Sequence, residues 1–308
     1  MGGDAPPSAV VNAISSVSSK GVKYLLYGDG DLLSRLVAES GIGDFAEVRP
    51  SDSVIPADLS PREVLRWKGS SMSMAVDSLS SREAAAVISR GNTGALLALA
   101  KRGVGMESGL DRPAIAAWIP TIKSDDSLML DLGANVTCTS ENLVGFAKMG
   151  LSHAEVIKGR KCSVALLNIG SEASKGTQEI QDAYRMLQES IPDNFVGFIE
   201  GNQILDSVVD VIVTDGFSGN IALKVGEGMA RAIASIMREY FRGSLRGKVA
   251  AMMSMPALRR LKEFLDPDQR NGAVLLGLDG LVFKIHGSAD ERGITCGIER
   301  VVQEVKRL

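Results

Sequence analysis

The sequence predicts an α/β fold in which a mostly parallel, doubly wound sheet is covered by helices on both faces. Three observations carry that prediction. Short apolar runs that read as buried strands alternate with amphipathic helical segments along most of the chain. Five of these runs break into glycine mixed with Asn, Thr, Ser, Asp or His: AAVISRGNTG, LMLDLGANVT, VALLNIGSEASKG, VVDVIVTDGFSGN and LVFKIHGSAD. No stretch is rich enough in Pro, Gly or Ser to cut residues 1–308 into independent domains, so a single one is expected.

Residues 22–28 read as the first strand and 31–40 as an amphipathic helix stopped by Gly41. Pro61 suits a first helical turn, where its missing N–H costs nothing, so helices are expected over 61–67 and 72–79. Residues 85–89 then feed Gly91-Asn92-Thr93-Gly94 and a helix through Arg102. Residues 127–131 feed Gly133-Ala134-Asn135 and a helix near 141–149. Residues 163–168 feed a polar loop and a helix over 178–189. Residues 208–214 feed Asp215-Gly216-Phe217-Ser218-Gly219-Asn220 and a long helix to about Tyr240, and 281–285 end at His286. In an open parallel sheet the strands deliver their carboxyl ends to one rim, where ligands gather. Glycine-bordered N–H groups and helix starts suit an anion there, and phosphate is the expected one.

Composition narrows the function. Hydrophobic residues at 45% and charged ones at 23% give ordinary globular usage rather than disorder. A net charge of -3 provides no basic field for nucleic acid. Cys138, Cys162 and Cys296 are too scattered for a disulfide framework or a CxxC metal site, so a cytoplasmic setting is expected. No secretory signal is read at the start, and no apolar run approaches the roughly 20 residues that span a bilayer.

Several chemistries lack their motif. Gly28-Asp29-Gly30 begins like a dinucleotide fingerprint, but Leu33 stands where its third glycine belongs. There is no GxxxxGK[ST] and no GxSxG. His153 and His286 are the only histidines, so no metal site is expected.

The loops that remain occur together in one family. MGGD, RGNTGALLA, IPTIK, LDLGAN, LLNIGSEASKGTQE, VTDGFSGNIALK and KIHGSAD, in that order over nearly the whole chain, resemble the PlsX family of acyl-acyl-carrier-protein:phosphate acyltransferases of bacterial phospholipid synthesis. The resemblance implies a Rossmann-like three-layer α/β/α fold akin to the isopropylmalate dehydrogenases. It also implies a cytoplasmic homodimer, without cofactor, that turns an acyl-acyl carrier protein and inorganic phosphate into acyl phosphate and a free thiol. The rival readings are a phosphotransacetylase-like enzyme using acyl-coenzyme A and a non-catalytic anion-binding protein.

Phosphate must be desolvated and held beside a thioester carbonyl, which calls for preorganised donors more than for a protein nucleophile. Asn92, Thr93, Asn135, Asn168, Ser218 and Asn220 offer side-chain donors, and Gly94, Gly216, Gly219 and Gly287 admit backbone N–H groups. Lys175 matches the lysine of the family's KGNE-like motif and is assigned to neutralising phosphate and the tetrahedral oxyanion. His286, in an HGSSD-like motif with Ser288, serves as donor to phosphate or as proton shuttle to sulfur, or is a hydrogen-bonded structural residue. Asp215 orients Lys175 or shapes a backbone turn. Lys224 is assigned to the surface.

Residues 238–263 alternate Arg and Lys with Met252, Met253, Met255 and Leu258, and Pro256 splits them into two helices. This arm, at about 242–268, is expected to pack against its twin in a dimer, to receive an acidic acyl carrier protein, and to touch an anionic membrane surface peripherally at its tip. The chain also departs from the family pattern. Members carry a short strand of the form IAVDAM before MGGD, and Met1 occupies its last position, so an upstream start or a truncated chain is expected, with a gap in the sheet where that strand and its acidic residue belong. The segment after MGGD runs one residue short, which bears on Asp4. Asn202 stands where the family commonly has Arg.

Overall fold

A computed structural model describes residues 2–17, 21–56, 59–122, 125–206, 208–266 and 271–307. Helix α1 (Pro7–Val17) precedes β1 (Tyr24–Gly28), α2 (Gly30–Glu39) and β2 (Ala46–Pro50). After α3 (Pro61–Val64) and α4 (Ser71–Ser80) come β3 (Ala86–Ser89), α5 (Thr93–Gly103), β4 (Ala114–Ile119), β5 (Ser127–Leu130), α6 (Ser140–Lys158), β6 (Val164–Asn168) and α7 (Gln178–Ser190). The chain continues through β7 (Phe195–Glu200), β8 (Val211–Val213), α8 (Gly216–Arg242), α9 (Leu245–Met253), α10 (Met255–Leu265), β9 (Ala273–Leu276), β10 (Leu281–Lys284) and α11 (Glu291–Val305).

Alternation of side chains along the strands makes the layers. Leu128, Leu130, Val164, Leu166, Val211 and Val213 face one core with α6 and α7, while their neighbours Met129, Ala165 and Ile212 face a second core with α4 and α5. The three-layer expectation therefore holds. Eight strands form the main sheet in the order β3-β10-β9-β4-β5-β8-β6-β7. The pairs β3–β10, β5–β8, β8–β6 and β6–β7 are parallel, and β10–β9, β9–β4 and β4–β5 are antiparallel.

Those three reversals correct the single rim. β3 and β10 run opposite to β5, β8, β6 and β7, so their loops leave from opposite edges of the sheet. Register softens the separation: Leu130, which ends β5, lies in one row with Ala116, Val274 and Phe283, one residue short of the end of β10. Three strand spacings, roughly 15 Å, divide the two half-rims.

β1 and β2 pair in parallel with each other and stand apart from the main sheet. Between β1 and β3 lies a cavity of about 600 Å³, lined by both strands and by apolar side chains of α1, α4 and α11, among them Val11, Met72, Ala75 and Ile298. In the region of the arm, α9 and α10 meet at Ser254, with Pro256 in the first turn of α10; residues 267 and 268 lie outside the described residues.

Candidate active site

The first half-rim is built by β3 and β10. Asn92 caps α5 by accepting the Ala95 N–H at 2.9 Å, which places the Thr93 and Gly94 amides in the first turn. At the end of β10 the His286 N–H donates to Asn271 Oδ1 at 2.9 Å, and the exposed ring turns its Nδ1 to Ser288, accepting that residue's N–H at 3.3 Å and lying 2.7 Å from its Oγ. An accepting Nδ1 leaves the neutral ring its proton on Nε2. The Gly287 carbonyl accepts both the Asp4 N–H at 2.9 Å and Arg90 Nη2 at 2.9 Å, so the N-terminal segment, β3 and β10 are tied at one point.

Two cations here were not singled out in the sequence. Arg90 is 8% exposed; its Nη2 also donates to the Ala289 carbonyl at 3.2 Å, and its Nε has no hydrogen-bond partner among the described residues. Lys284 pairs in register with Ser89, next to Arg90, and donates to the Ile285 carbonyl. Burial, helped by the charges of Arg90 and Lys224, pushes Lys284 down to about 8, with only Asp4 acting the other way. Lys224 is exposed and 3.0 Å from Glu227, as a surface residue would be, yet α8 carries it across to the field of Lys284. The signal that could have found this pair was position: Arg90 opens RGNTG and Lys284 opens KIHGSAD.

The second half-rim is built by β5, β8 and β6. Its turns are more occupied than their sequences suggest. Asp131, wholly buried, accepts the N–H groups of Ile115, Gly133, Ala134 and Asn135 and the Asn135 amide, at 2.7–3.1 Å. The nest in LDLGAN is thus filled by the chain's own carboxylate. Asn135 spends both amide hydrogens inside, on Asp131 and on the Pro113 carbonyl at 2.8 Å. Asn168 donates to the Lys175 carbonyl at 3.1 Å and accepts the Ile169 N–H at 2.9 Å.

Asp215 takes the turn-shaping role. Its Oδ1 accepts the Ser218 N–H and its Oδ2 the Ser218 hydroxyl, both at 2.8 Å, which caps α8. Gly219 and Gly216 serve close packing: a Cβ there would come within 2.0 Å of the Asp131 carbonyl oxygen and 2.5 Å of the Asn135 carbonyl oxygen. This seats the start of α8 on the β5 loop and sets Asn220 beside Gly133. Lys175 is exposed in a turn closed by its own N–H on the Glu172 carbonyl at 2.9 Å. The structure therefore groups Asn92, Thr93, Gly94, His286, Gly287 and Ser288 on one half-rim. Asn135, Asn168, Lys175, Asp215, Gly216, Ser218, Gly219 and Asn220 lie on the other.

Solved structures define the class to which this arrangement belongs. A phosphotransacetylase from Streptococcus pyogenes superimposes with a TM-score of 0.66 at 14% identity, over 97% of this chain and 91% of its own. A 4-hydroxythreonine-4-phosphate dehydrogenase from Klebsiella pneumoniae gives 0.59 at 10% identity, over 97% and 95%. The fold is the Rossmann-like α/β class that these enzymes share. The family model described as fatty acid synthesis protein matches residues 1–307, and the chain belongs to that family, the PlsX family its motifs resemble. Among its relatives are phosphate acyltransferases from Acidiphilium cryptum, 43% identical over 97% of this chain and 80% of the relative, and from Nitrosococcus oceani, 42% identical over 100% and 92%.

Proposed function

We propose that the chain is a phosphate acyltransferase that moves a fatty acyl group from a thioester to inorganic phosphate. The observation that carries this reading is the identity of 41–43% with phosphate acyltransferases over 97% of the chain or more. A phosphate oxygen attacks the thioester carbonyl carbon, the C–S bond breaks, and the sulfur leaves as thiolate. A thiol pKa near about 8.5 makes that departure easy without a strong acid. The glycine-bordered turns at β3 and β10 suit phosphate, with the His286 Nε2–H as a donor. Lys175, on the β6 loop of the opposite half-rim, is assigned to the oxyanion of the tetrahedral intermediate by its family motif and not by proximity to those turns.

The donor we infer is acyl-acyl carrier protein, an acidic partner suited to the Arg- and Lys-rich arm. Dimer formation is supported by α8, whose Ile221, Val225, Met229, Ile233, Ile236 and Tyr240 form an exposed apolar stripe at helical spacing. Peripheral membrane contact is supported by Leu245, Met252 and Met253, which are 69–80% exposed at the arm. Among the described residues no helix is long and apolar enough to cross a membrane. The reading places the enzyme in the cytoplasm.

Thiol release from an acyl-acyl-carrier-protein thioester, followed with and without phosphate, tests the reading. Release that requires phosphate supports it, and release indifferent to phosphate overturns it. Equal or faster release from acyl-coenzyme A would move the donor to the phosphotransacetylase alternative.

A further inference from the structure

Lys284 has an unusual setting for a cation. It ends β10 half-buried, beside Ser89 of β3, and its one hydrogen bond among the described residues goes to the neighbouring Ile285 carbonyl. The charged or titratable groups around it come from each element that approaches: Arg90 from the end of β3, Lys224 from α8, Asp4 from the N-terminal segment, and His286 two residues on in the loop after β10. Asp4 alone is acidic. Arg90 beside it is buried and held by carbonyl oxygens, and among the described residues no carboxylate bonds it and its Nε is unpartnered. Desolvated cations are costly unless an anion completes their shell.

We propose that Lys284, with Arg90 beside it and the first turn of α5 opposite, forms the subsite that holds the phosphate substrate. The inference rests on the phosphate acyltransferase reading and adds the group that recognises the nucleophile. Lys284 is the point charge, Arg90 contributes fixed field from behind, and the Thr93 and Gly94 amides give directional donors. Phosphate bound there supplies the counter-charge that Asp4 alone leaves incomplete. No covalent step passes through Lys284.

The ammonium of Lys284 is kept below about pH 8 and lost above it, so phosphate binding weakens as pH climbs through that value. Arginine does not titrate in this range. KM for phosphate is therefore measured from pH 6.5 to 9.5 in the whole enzyme, in Lys284→Met and in Lys284→Arg, with thermal melts on each. The expected result is a KM for phosphate raised about tenfold or more in Lys284→Met, as for loss of a charged hydrogen-bonding partner, with kcat changed much less. Lys284→Arg keeps KM near the wild-type value at neutral pH and removes its rise above pH 8, which also cancels any contribution from ionisation of phosphate itself. A folded Lys284→Met with KM within twofold of wild type, or a Lys284→Arg profile identical to wild type, overturns the subsite. Where Lys284→Met does not fold, the Lys284→Arg profile decides alone. Wild-type thiol release indifferent to phosphate removes the underlying reading and the subsite together, whereas phosphate-dependent release with unmoved variants removes only the subsite.

Discussion

His153 Nε2 on α6 lies 3.4 Å from Glu304 Oε2 on α11, both side chains 5% exposed and neither atom engaged in a hydrogen bond among the described residues. The geometry is that of an ion pair, but burial works against charge on both partners. It pushes the His153 ring down to about 4, with Arg300 adding to the effect, and pushes Glu304 up to about 7 against the pull of Arg300, a Trp118 hydrogen bond and Arg307. The stable arrangement over the acid range is a neutral imidazole beside a protonated carboxyl.

The two groups pull stability in opposite directions with pH. Unfolded His153 binds a proton between about 4 and 6.5 that the folded ring refuses, so its contribution grows as pH rises through that window. Folded Glu304 keeps a proton between 4.5 and about 7 that the unfolded side chain gives up, so its contribution falls as pH rises there. Wild-type stability should be nearly flat where the windows overlap. Glu304→Gln should expose the histidine arm, gaining on the order of 3 kcal/mol from pH 4 to pH 6.5, and His153→Gln should show the reverse slope. Urea unfolding at half-unit pH steps reads both; parallel profiles for the two variants would contradict the assignment.

Asp131 holds the β5 loop by five accepted hydrogen bonds from inside the core. Asp131→Ala leaves four backbone N–H groups without their acceptor and should cost about 3 kcal/mol or more. Denaturant unfolding gives the value. A loss below about 1 kcal/mol would mean that water replaces the carboxylate without penalty.

Lys175→Ala should lower kcat/KM by about two orders of magnitude, the scale of losing a major electrostatic group. Because Lys175 is exposed in a self-closed turn, the melting temperature should not move. Near-normal kinetics would return Lys175 to the solvated surface.

Ile233→Asp places a charge in the middle of the α8 stripe and should convert a dimer to monomers in sedimentation velocity. An unchanged sedimentation coefficient for wild type and variant would put the interface elsewhere.

Replacing Met252, Met253 and Met255 together by Asp should reduce flotation with anionic vesicles while sparing the reaction on soluble substrate. Unchanged flotation would remove the arm from the membrane.

Much of this architecture is readable from residues alone, and the unreadable part has a physical reason. Each strand that runs through a glycine loop into a helix was recognisable, because the change from buried run to capped helix is local. β4 and β9 carry no such mark: β4 passes to β5 and β9 to β10 without an intervening helix, so the βα rhythm conceals them. These strands also reverse the sheet, a property of pairing between distant segments that no local pattern records. The same limit applies at the site. Asn135 and Asn168 look like donors for a ligand until the folded loops claim their amides, and Asp131 looks like the last residue of a strand until its carboxylate is seen inside the turn. Lys284 and Arg90 acquire meaning only through proximity to Lys224, two turns along a helix that starts on the opposite half-rim.

The cleft between β1 and β3 leaves two strand edges without neighbours, an arrangement that ordinarily invites other molecules to stack and grow fibres. Here the helices decide otherwise. Residues of α1, α11 and α4 line the cavity beside these strands, so helices cover the approach to both edges. β2, on the outer side of its two-stranded pair, carries Glu47, Arg49 and Pro50. Helix walls at one edge, and charge and proline at the other, are the features of this fold that discourage edge-to-edge pairing.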